Sequence, residues 1–353
     1  MIWPANSWPS PAASWPITWR PGLWTSSPKC PDCLRASSTS ASCGTPTGRT
    51  RTPRFDSVRL SSGPYTIELA PDIGGAISGL WFEQDGLRTP VLRPAGDGET
   101  DPTGCGCFPL AAFCNRLREG RVRFRGRTHD IPPNRPGERH PLHGQAWLAP
   151  WSAEMLGPDQ ARMRFAHEPG HWPWRYEAVQ SIVASESGVA LSLEVRNLDD
   201  QAMPAGIGLH PYFPTGDGVR IQTRVSGVQL TDDERLPTGK PVRALGAYDL
   251  SDRPIAEAGL DNGYAGWSGQ LDILYPTHTV RMTASSNAAW LQVYAPKGET
   301  FFCAEPVTHA NDALALGEAG WDAQGIRILE PGRSLRMDMR LEVLVRPFLS
   351  APP

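Results

Sequence analysis

The sequence predicts an all-β protein, with many antiparallel strands arranged in packed sheets. From Phe55 onward, short runs of alternating apolar and polar residues are separated by Gly, Pro, Asp and Asn, which is the pattern of half-buried strands joined by turns. Helical periodicity sustained over about 11 residues is nearly absent. In addition, 36 prolines in 353 residues leave little room for long helices, because Pro lacks the N–H donor and clashes with the preceding turn.

In chain order, the strand pattern fits Tyr65–Leu69, Ile77–Phe82, Val122–Phe124, Met163–Phe165, Val189–Val195 and Val219–Val225. It continues through Val280–Ala284, Trp290–Tyr294, Phe301–Ala304 and Ile326–Leu329, and ends in the tail Ser334–Val345. No internal repeat is visible. Residues 1–54 differ sharply: Trp, Pro, Ser and Thr dominate, and five of the 13 tryptophans (Trp3, Trp8, Trp15, Trp19 and Trp24) fall there without period 2 or 3.6. A stretch so poor in aliphatic residues cannot build a core, so it is expected to be a disordered extension from an upstream start. Residues 55–348 are expected to form a single domain.

Composition excludes several function classes. Thirty-four basic against 37 acidic side chains give a formal charge of −3, so no positive excess exists to attract a nucleic acid or an anionic membrane. No run approaches the roughly 18 apolar residues of a membrane span. The first 30 residues lack the basic start and apolar run of a signal peptide, so a cytoplasmic location is expected. Seven cysteines, an odd number, do not suggest a secreted disulfide framework. Cys30 and Cys33 form a Cys-x-x-Cys pair, but a closed zinc site needs four ligands and only Cys43 lies near. His167 and His171 are four apart, yet Pro169-Gly170 between them argues for a loop rather than a helical ligand pair. No metal and no cofactor are expected.

Four segments combine ionisable side chains with strand-end or turn residues, where a rigid scaffold commonly displays functional groups. They are Phe113-Cys114-Asn115-Arg116, His140-Pro141-Leu142-His143-Gly144-Gln145-Ala146-Trp147, Gly208-Leu209-His210-Pro211-Tyr212-Phe213 and Cys303-Ala304-Glu305-Pro306-Val307-Thr308-His309. Each histidine beside a proline, taken alone, reads more readily as a hydrogen-bonded structural residue than as a catalyst. Cys105, Cys107 and Cys114 read as small packing residues. Glu305 is more informative. A carboxylate among strand residues is costly to bury unless it is paired or used, and burial raises its pKa toward the range of a useful base.

Taken together, the order of Asn115-Arg116-Leu117, Leu142-His143-Gly144, Gly208-Leu209-His210-Pro211-Tyr212-Phe213, Leu260-Asp261-Asn262-Gly263-Tyr264 and Glu305-Pro306-Val307-Thr308-His309 resembles the aldose 1-epimerase (galactose mutarotase-like) family. The resemblance covers roughly residues 58–345. It implies a large antiparallel β-sandwich with a sugar cleft on one sheet. It also implies a cofactor-free mutarotase that interconverts the α and β anomers of a free aldose such as glucose or galactose. By the same resemblance, Glu305 is the general base at the anomeric hydroxyl and His210 the general acid at the ring oxygen. His143, Arg116, Asn115 and Asp261 are implied as contacts to the sugar. Trp147 or Tyr264 is expected, on chemical grounds alone, to offer a ring face to the apolar side of a pyranose. The partner is then a small sugar, and the chain a monomer or homodimer. Gln145 departs from the family, in which many members carry a second glycine there, and this leaves the preferred sugar open.

Three rival readings compete with this one. A sugar-phosphate epimerase needs clustered cations. Arg121, Arg123, Arg125 and Arg127 alternate, so a regular strand would put them on one face, either as a solvated surface or as an anion site. A non-catalytic carbohydrate-binding module on the same fold would be expected to lack the acid or the base. A polysaccharide lyase or hydrolase would want a second carboxylate, for which Asp261 is the candidate.

Overall fold

The structure is a computed structural model that describes residues 58–345. The expectations for residues 1–54, including Cys30, Cys33 and Cys43, lie outside the described residues. Two large antiparallel sheets make the fold. The first has ten strands, in the order Val58–Ser62, Tyr65–Ala70, Ala76–Gln84, Cys107–Leu110, Gly208–Pro214, Phe301–Val307, Trp290–Ala295, Leu260–Ala265 and Gly227–Val228, with Leu87–Leu92 also paired to Ala76–Gln84. The second has nine and is centred on Ser334–Val345, Gly188–Asn197 and Tyr176–Ser185. Among the described residues the only α-helix is the short Glu318–Gln324 segment.

The sheets face each other as a sandwich. In the second sheet the period of two is plain: Tyr176, Ala178, Ile182 and Ala184, and across the sheet Leu335, Met337, Met339 and Leu341, are buried while their neighbours point outward. They share one core with Ile67, Leu209, Phe213 and Phe302 of the first sheet. Buried polar groups join the layers, because a polar atom taken from water needs a partner. The Gln180 amide donates to the Gly75 carbonyl at 2.9 Å, the Tyr275 hydroxyl donates to the Pro214 carbonyl at 2.9 Å, and the Tyr65 hydroxyl accepts from the Val343 N–H at 2.8 Å.

The central strands of the first sheet behave differently. All four residues of Cys107–Leu110, six of the seven in Gly208–Pro214 and six of the seven in Phe301–Val307 are buried, so no alternation marks them. One face packs on the core and the other lies under loops. They also contain Pro109, Pro211 and Pro306, residues normally confined to edges because they cannot donate to a ladder. The ladder between Gly208–Pro214 and Phe301–Val307 pairs Gly208 with Val307 and resumes at Tyr212 with Cys303. Pro211 and Pro306 lie in the interval, where no N–H is demanded of them.

Two sequence expectations are corrected. The four alternating arginines do not share one strand: Arg121–Phe124 and Arg127–Asp130 form a hairpin that turns at Arg125 and Gly126, both with positive φ. Val122 and Phe124 turn inward while the arginines are exposed, and Arg125 pairs with Glu330 at 3.0 Å, so this is a solvated face. His167 ends the Gln160–His167 strand rather than lying in a loop, and its Nε2 meets the Trp172 carbonyl at 2.9 Å.

Candidate active site

A cavity of about 420 Å³ opens on the first sheet, over the strands just described. Its floor follows from strand register. Phe108 pairs with His210, and Gln292 with Glu305 and Gly263. The pairs flanking the gap place His210 opposite Glu305, so one row runs Phe108, His210, Glu305, Gln292, Gly263 across five strands. Two residues along, Tyr212 pairs with Cys303, Cys303 with Tyr294, and Tyr294 with Asp261. Because side chains alternate along a strand, both rows face the cavity.

His210 Nε2 lies 3.3 Å from Glu305 Oε1, and both side chains are almost fully buried. Phe108, 4.5 Å away at 24°, and Tyr212, 4.8 Å away at 17°, both lie near-parallel to the His210 ring, with their own centroids 6.2 Å apart. Burial pushes the imidazole down to about 3, with Arg93 acting in the same direction. Burial holds the Glu305 carboxyl well above its usual range, and the nearby Asp261 adds to this while Arg116 opposes it. The contact has ion-pair geometry, but burial disfavours the charged form of each partner. His210 Nδ1 and Glu305 Oε2 are buried without partners, which is unusual outside functional sites.

His143 stands edge-on to His210, 5.4 Å away between ring centroids. It sits in a tight turn in which His143 and Gly144 both have positive φ, 58° and 71°. Gly144 is required there, since a Cβ would lie 2.0 Å from the Ala111 carbonyl oxygen. Gln145 has φ −107°, open to any residue, so the turn needs no second glycine. Nδ1 of His143 accepts from the Asn115 N–H at 3.0 Å, and burial holds the ring neutral.

Asn115, with φ 57°, accepts from the Arg116 N–H through Oδ1 at 2.9 Å and lines the cavity. The Arg116 guanidinium is held by both carboxylate oxygens of Glu138, at 3.2 and 3.3 Å. Asp261 accepts from the Gln292 amide at 2.9 Å and meets Arg235 Nε at 3.1 Å; its carboxyl is raised by burial, against the pull of Arg235. The structure thus brings all six sequence-predicted site residues to one cavity. Of the two aromatic candidates, Trp147 lines it, with its indole N–H donating to the Leu142 and Gly144 carbonyls. Tyr264 does not: it alternates with Asp261 and Gly263, so its side chain faces the sandwich core. His309, from the same motif as Glu305, is a structural pin. Nδ1–H donates to the Ala310 carbonyl at 2.7 Å and Nε2 accepts from the Cys114 N–H at 2.8 Å, which locks the Asn115 segment to the Glu305 strand.

Sequence motifs do not reveal Arg93, Arg135, Glu138, Arg235 and Gln292, which also line the cavity. Arg135 and Glu138 lie in the Pro- and Arg-rich run before His140, a composition that could have flagged them. Nothing local marks Arg93, Arg235 or Gln292. Ligand atoms of His210, Cys303 and Glu305 lie within 4.8 Å of one another. A metal there would have to engage both His210 and Glu305, and burial disfavours the Cys303 thiolate, which makes it a poor ligand.

Comparison with known proteins agrees with this geometry. The aldose 1-epimerase family profile matches residues 56–342. The chain is 31% identical over 294 residues to YphB of Escherichia coli K12, covering 80% of this chain and 97% of that protein. Among solved structures, a candidate aldose 1-epimerase from Escherichia coli K12 superposes with TM-score 0.74 at 29% identity, covering 82% of this chain and 98% of the other. A galactose mutarotase-like protein from Clostridium acetobutylicum gives 0.73 at 19% identity, covering 82% of this chain and 95% of its own, a likeness of fold alone.

Proposed function

The chain belongs to the aldose 1-epimerase family, and from that premise we propose that it is a mutarotase, interconverting the α and β anomers of an aldose by acid/base opening and reclosure of the ring. The observation that carries this is the buried contact between His210 and Glu305, 3.3 Å apart at the floor of a sugar-sized cavity. Opening a hemiacetal needs a base at the anomeric hydroxyl and an acid at the ring oxygen, acting together.

In this mechanism Glu305, as carboxylate, takes the proton from the C1 hydroxyl while His210, as imidazolium, protonates the ring oxygen. The ring C–O bond breaks, its electron pair goes to the newly protonated oxygen, and C1 becomes an aldehyde. Rotation about the C1–C2 bond presents the other face of the carbonyl. Return of the two protons then closes the opposite anomer, with no net gain or loss of protons. Burial by itself favours the proton on Glu305. Sugar hydroxyls that bind between the groups stabilise the charged arrangement, because they supply the hydrogen bonds that burial has removed. His143 offers its Nε2–H to the ring oxygen. Arg116, oriented by Glu138, and Asp261, oriented by Gln292 and Arg235, hold hydroxyls farther along the ring. The reaction is assigned to the cytoplasm, with which the four described cysteines, all buried and unbridged, agree.

Polarimetry of freshly dissolved α-glucose and α-galactose tests this. Acceleration over buffer by the protein, absent with Glu305→Gln, is expected. Wild-type protein that leaves every aldose at the buffer rate would refute the reading.

A further inference from the structure

Four arginines line the cavity, and three of them have a carboxylate partner: Arg116 with Glu138, Arg135 with Asp101 and Arg235 with Asp261. Arg93 has none among the described residues. Its Nη2 donates to the carbonyl oxygens of Thr103 and Cys105, and its Nε is buried without a partner. Its guanidinium lies 4.0 Å over the Tyr212 ring and 4.5 Å over Phe301. No hydrogen bond among the described residues engages its Nη1. A half-buried cation with no counter-ion costs free energy that carbonyls and ring faces offset only in part. Arg135 approaches the same point: its Nη2 reaches the Thr103 hydroxyl at 3.3 Å, and its Nη1 and Nε are unengaged among the described residues. Asp101, its partner, also accepts from the Thr103 N–H and hydroxyl, at 2.8 and 2.7 Å, and lies outside the cavity wall.

Position in the stack tells which part of a sugar would meet these groups. Tyr212 lies near-parallel to the His210 ring at 4.8 Å, and the Arg93 guanidinium lies over Tyr212 at 4.0 Å. Given the assignment of His210 to the ring oxygen, on which this rests, Arg93 lies one ring beyond the acid. The ring oxygen is bonded to C5, and C5 carries the exocyclic carbon C6. We propose that Arg93, with Arg135, forms an anion subsite that takes a negatively charged group on the exocyclic carbon of the substrate, a phosphate ester or a carboxylate, so that anionic aldoses are preferred over neutral ones. The arginines that meet this need are thus not the exposed hairpin residues but two that sequence spacing does not connect. The subsite also bears on the acid. Arg93 disfavours the His210 imidazolium, and an anion seated on Arg93 offsets that field and favours the protonated form the reaction needs.

The test compares glucose, glucose 6-phosphate and glucuronate in mutarotation and, separately, in calorimetric binding, with wild-type protein, Arg93→Met and Glu305→Gln. Expected is a kcat/KM at least about tenfold higher for one or both anionic sugars than for glucose, the scale of a charge-assisted hydrogen bond. That advantage should collapse in Arg93→Met. Preference for glucose 6-phosphate alone identifies a phosphate site, and preference for glucuronate alone a carboxylate site. Equal or better handling of glucose by the wild type overturns the proposal, as does an unchanged ratio in Arg93→Met, which would make Arg93 a structural residue. If Arg93→Met does not fold, Arg135→Gln at the half-exposed rim carries the same ratio test. If no sugar turns over but the anionic ones still bind more tightly in an Arg93-dependent way, the mutarotase reading fails and the subsite stands.

Discussion

The main-chain N–H of Asn115 donates to Nδ1 of His143 at 3.0 Å, and this one bond sets the chemistry of the second histidine. A nitrogen that accepts from an amide carries no proton, so the neutral ring holds its hydrogen on Nε2 and can serve only as a donor there. Burial, with His210, Arg116 and Arg135 adding to it, disfavours a second proton. His143→Ala should therefore lower kcat/KM by about tenfold to a hundredfold, the scale of one lost donor to developing charge. His143→Gln, whose amide can accept from Asn115 and still donate, should recover part of that loss. Steady-state kinetics on the two variants decide it, and equal damage from both would remove the donor role.

Glu305→Gln retains the shape but not the base, and turnover should fall by at least about a hundredfold. His210→Asn should do comparable harm. Single-turnover polarimetry with each variant measures this, and near-normal rates in either would reassign the pair.

The same substitution should raise stability. Glu305 has a folded pKa well above its ordinary 4.5. Its contribution is therefore fully present below pH 4.5 and is lost as pH rises through the folded value. Removing the titrating group should lift the Tm of Glu305→Gln above wild type by a few degrees at pH 8 and by less at pH 5. A Tm gap that does not depend on pH would contradict the burial argument.

His309 bears on acid stability with the opposite sign. Its folded pKa is pushed down from 6.5 to about 4 by burial, so the unfolded chain binds its proton first. Stability is full above pH 6.5 and is lost as pH falls toward about 4. His309→Gln should flatten the slope of unfolding free energy in that window by about one proton, roughly 1.4 kcal/mol per pH unit. Urea melts across the window supply the slope, and an unchanged slope would mean His309 is charged in the native state.

Arg116→Ala should chiefly raise KM, with kcat held within about threefold, if Arg116 binds a hydroxyl equally in the ground and transition states. Glu138→Gln, which loosens the two-oxygen grip on Arg116, should act in the same direction but more weakly. A fall in kcat without a change in KM would instead place Arg116 on developing charge.

Much of this site is legible in the amino-acid sequence. Motif order identifies His210, Glu305, His143, Asp261 and the Asn115-Arg116 pair, and alternation identifies strands such as Ser334–Val345, because one face meets the core and the other meets water. The strands that carry His210 and Glu305 are less legible. Gly208–Pro214 is buried on both faces and broken by Pro211, so neither periodicity nor composition marks it as a central strand.

By itself, then, the sequence determined the class of the fold, the chemistry available to it and the segments that display that chemistry, since all of these depend on local pattern. Only the tertiary structure decided which groups meet. Cross-strand register puts His210 against Glu305 and turns Tyr264 into the core, and the loops that follow Leu92 and Asp130 bring Arg93 and Arg135 to one wall of the cavity. Such contacts join residues remote in the chain through the pairing of whole strands, and no local rule of spacing encodes where a neighbouring strand will lie.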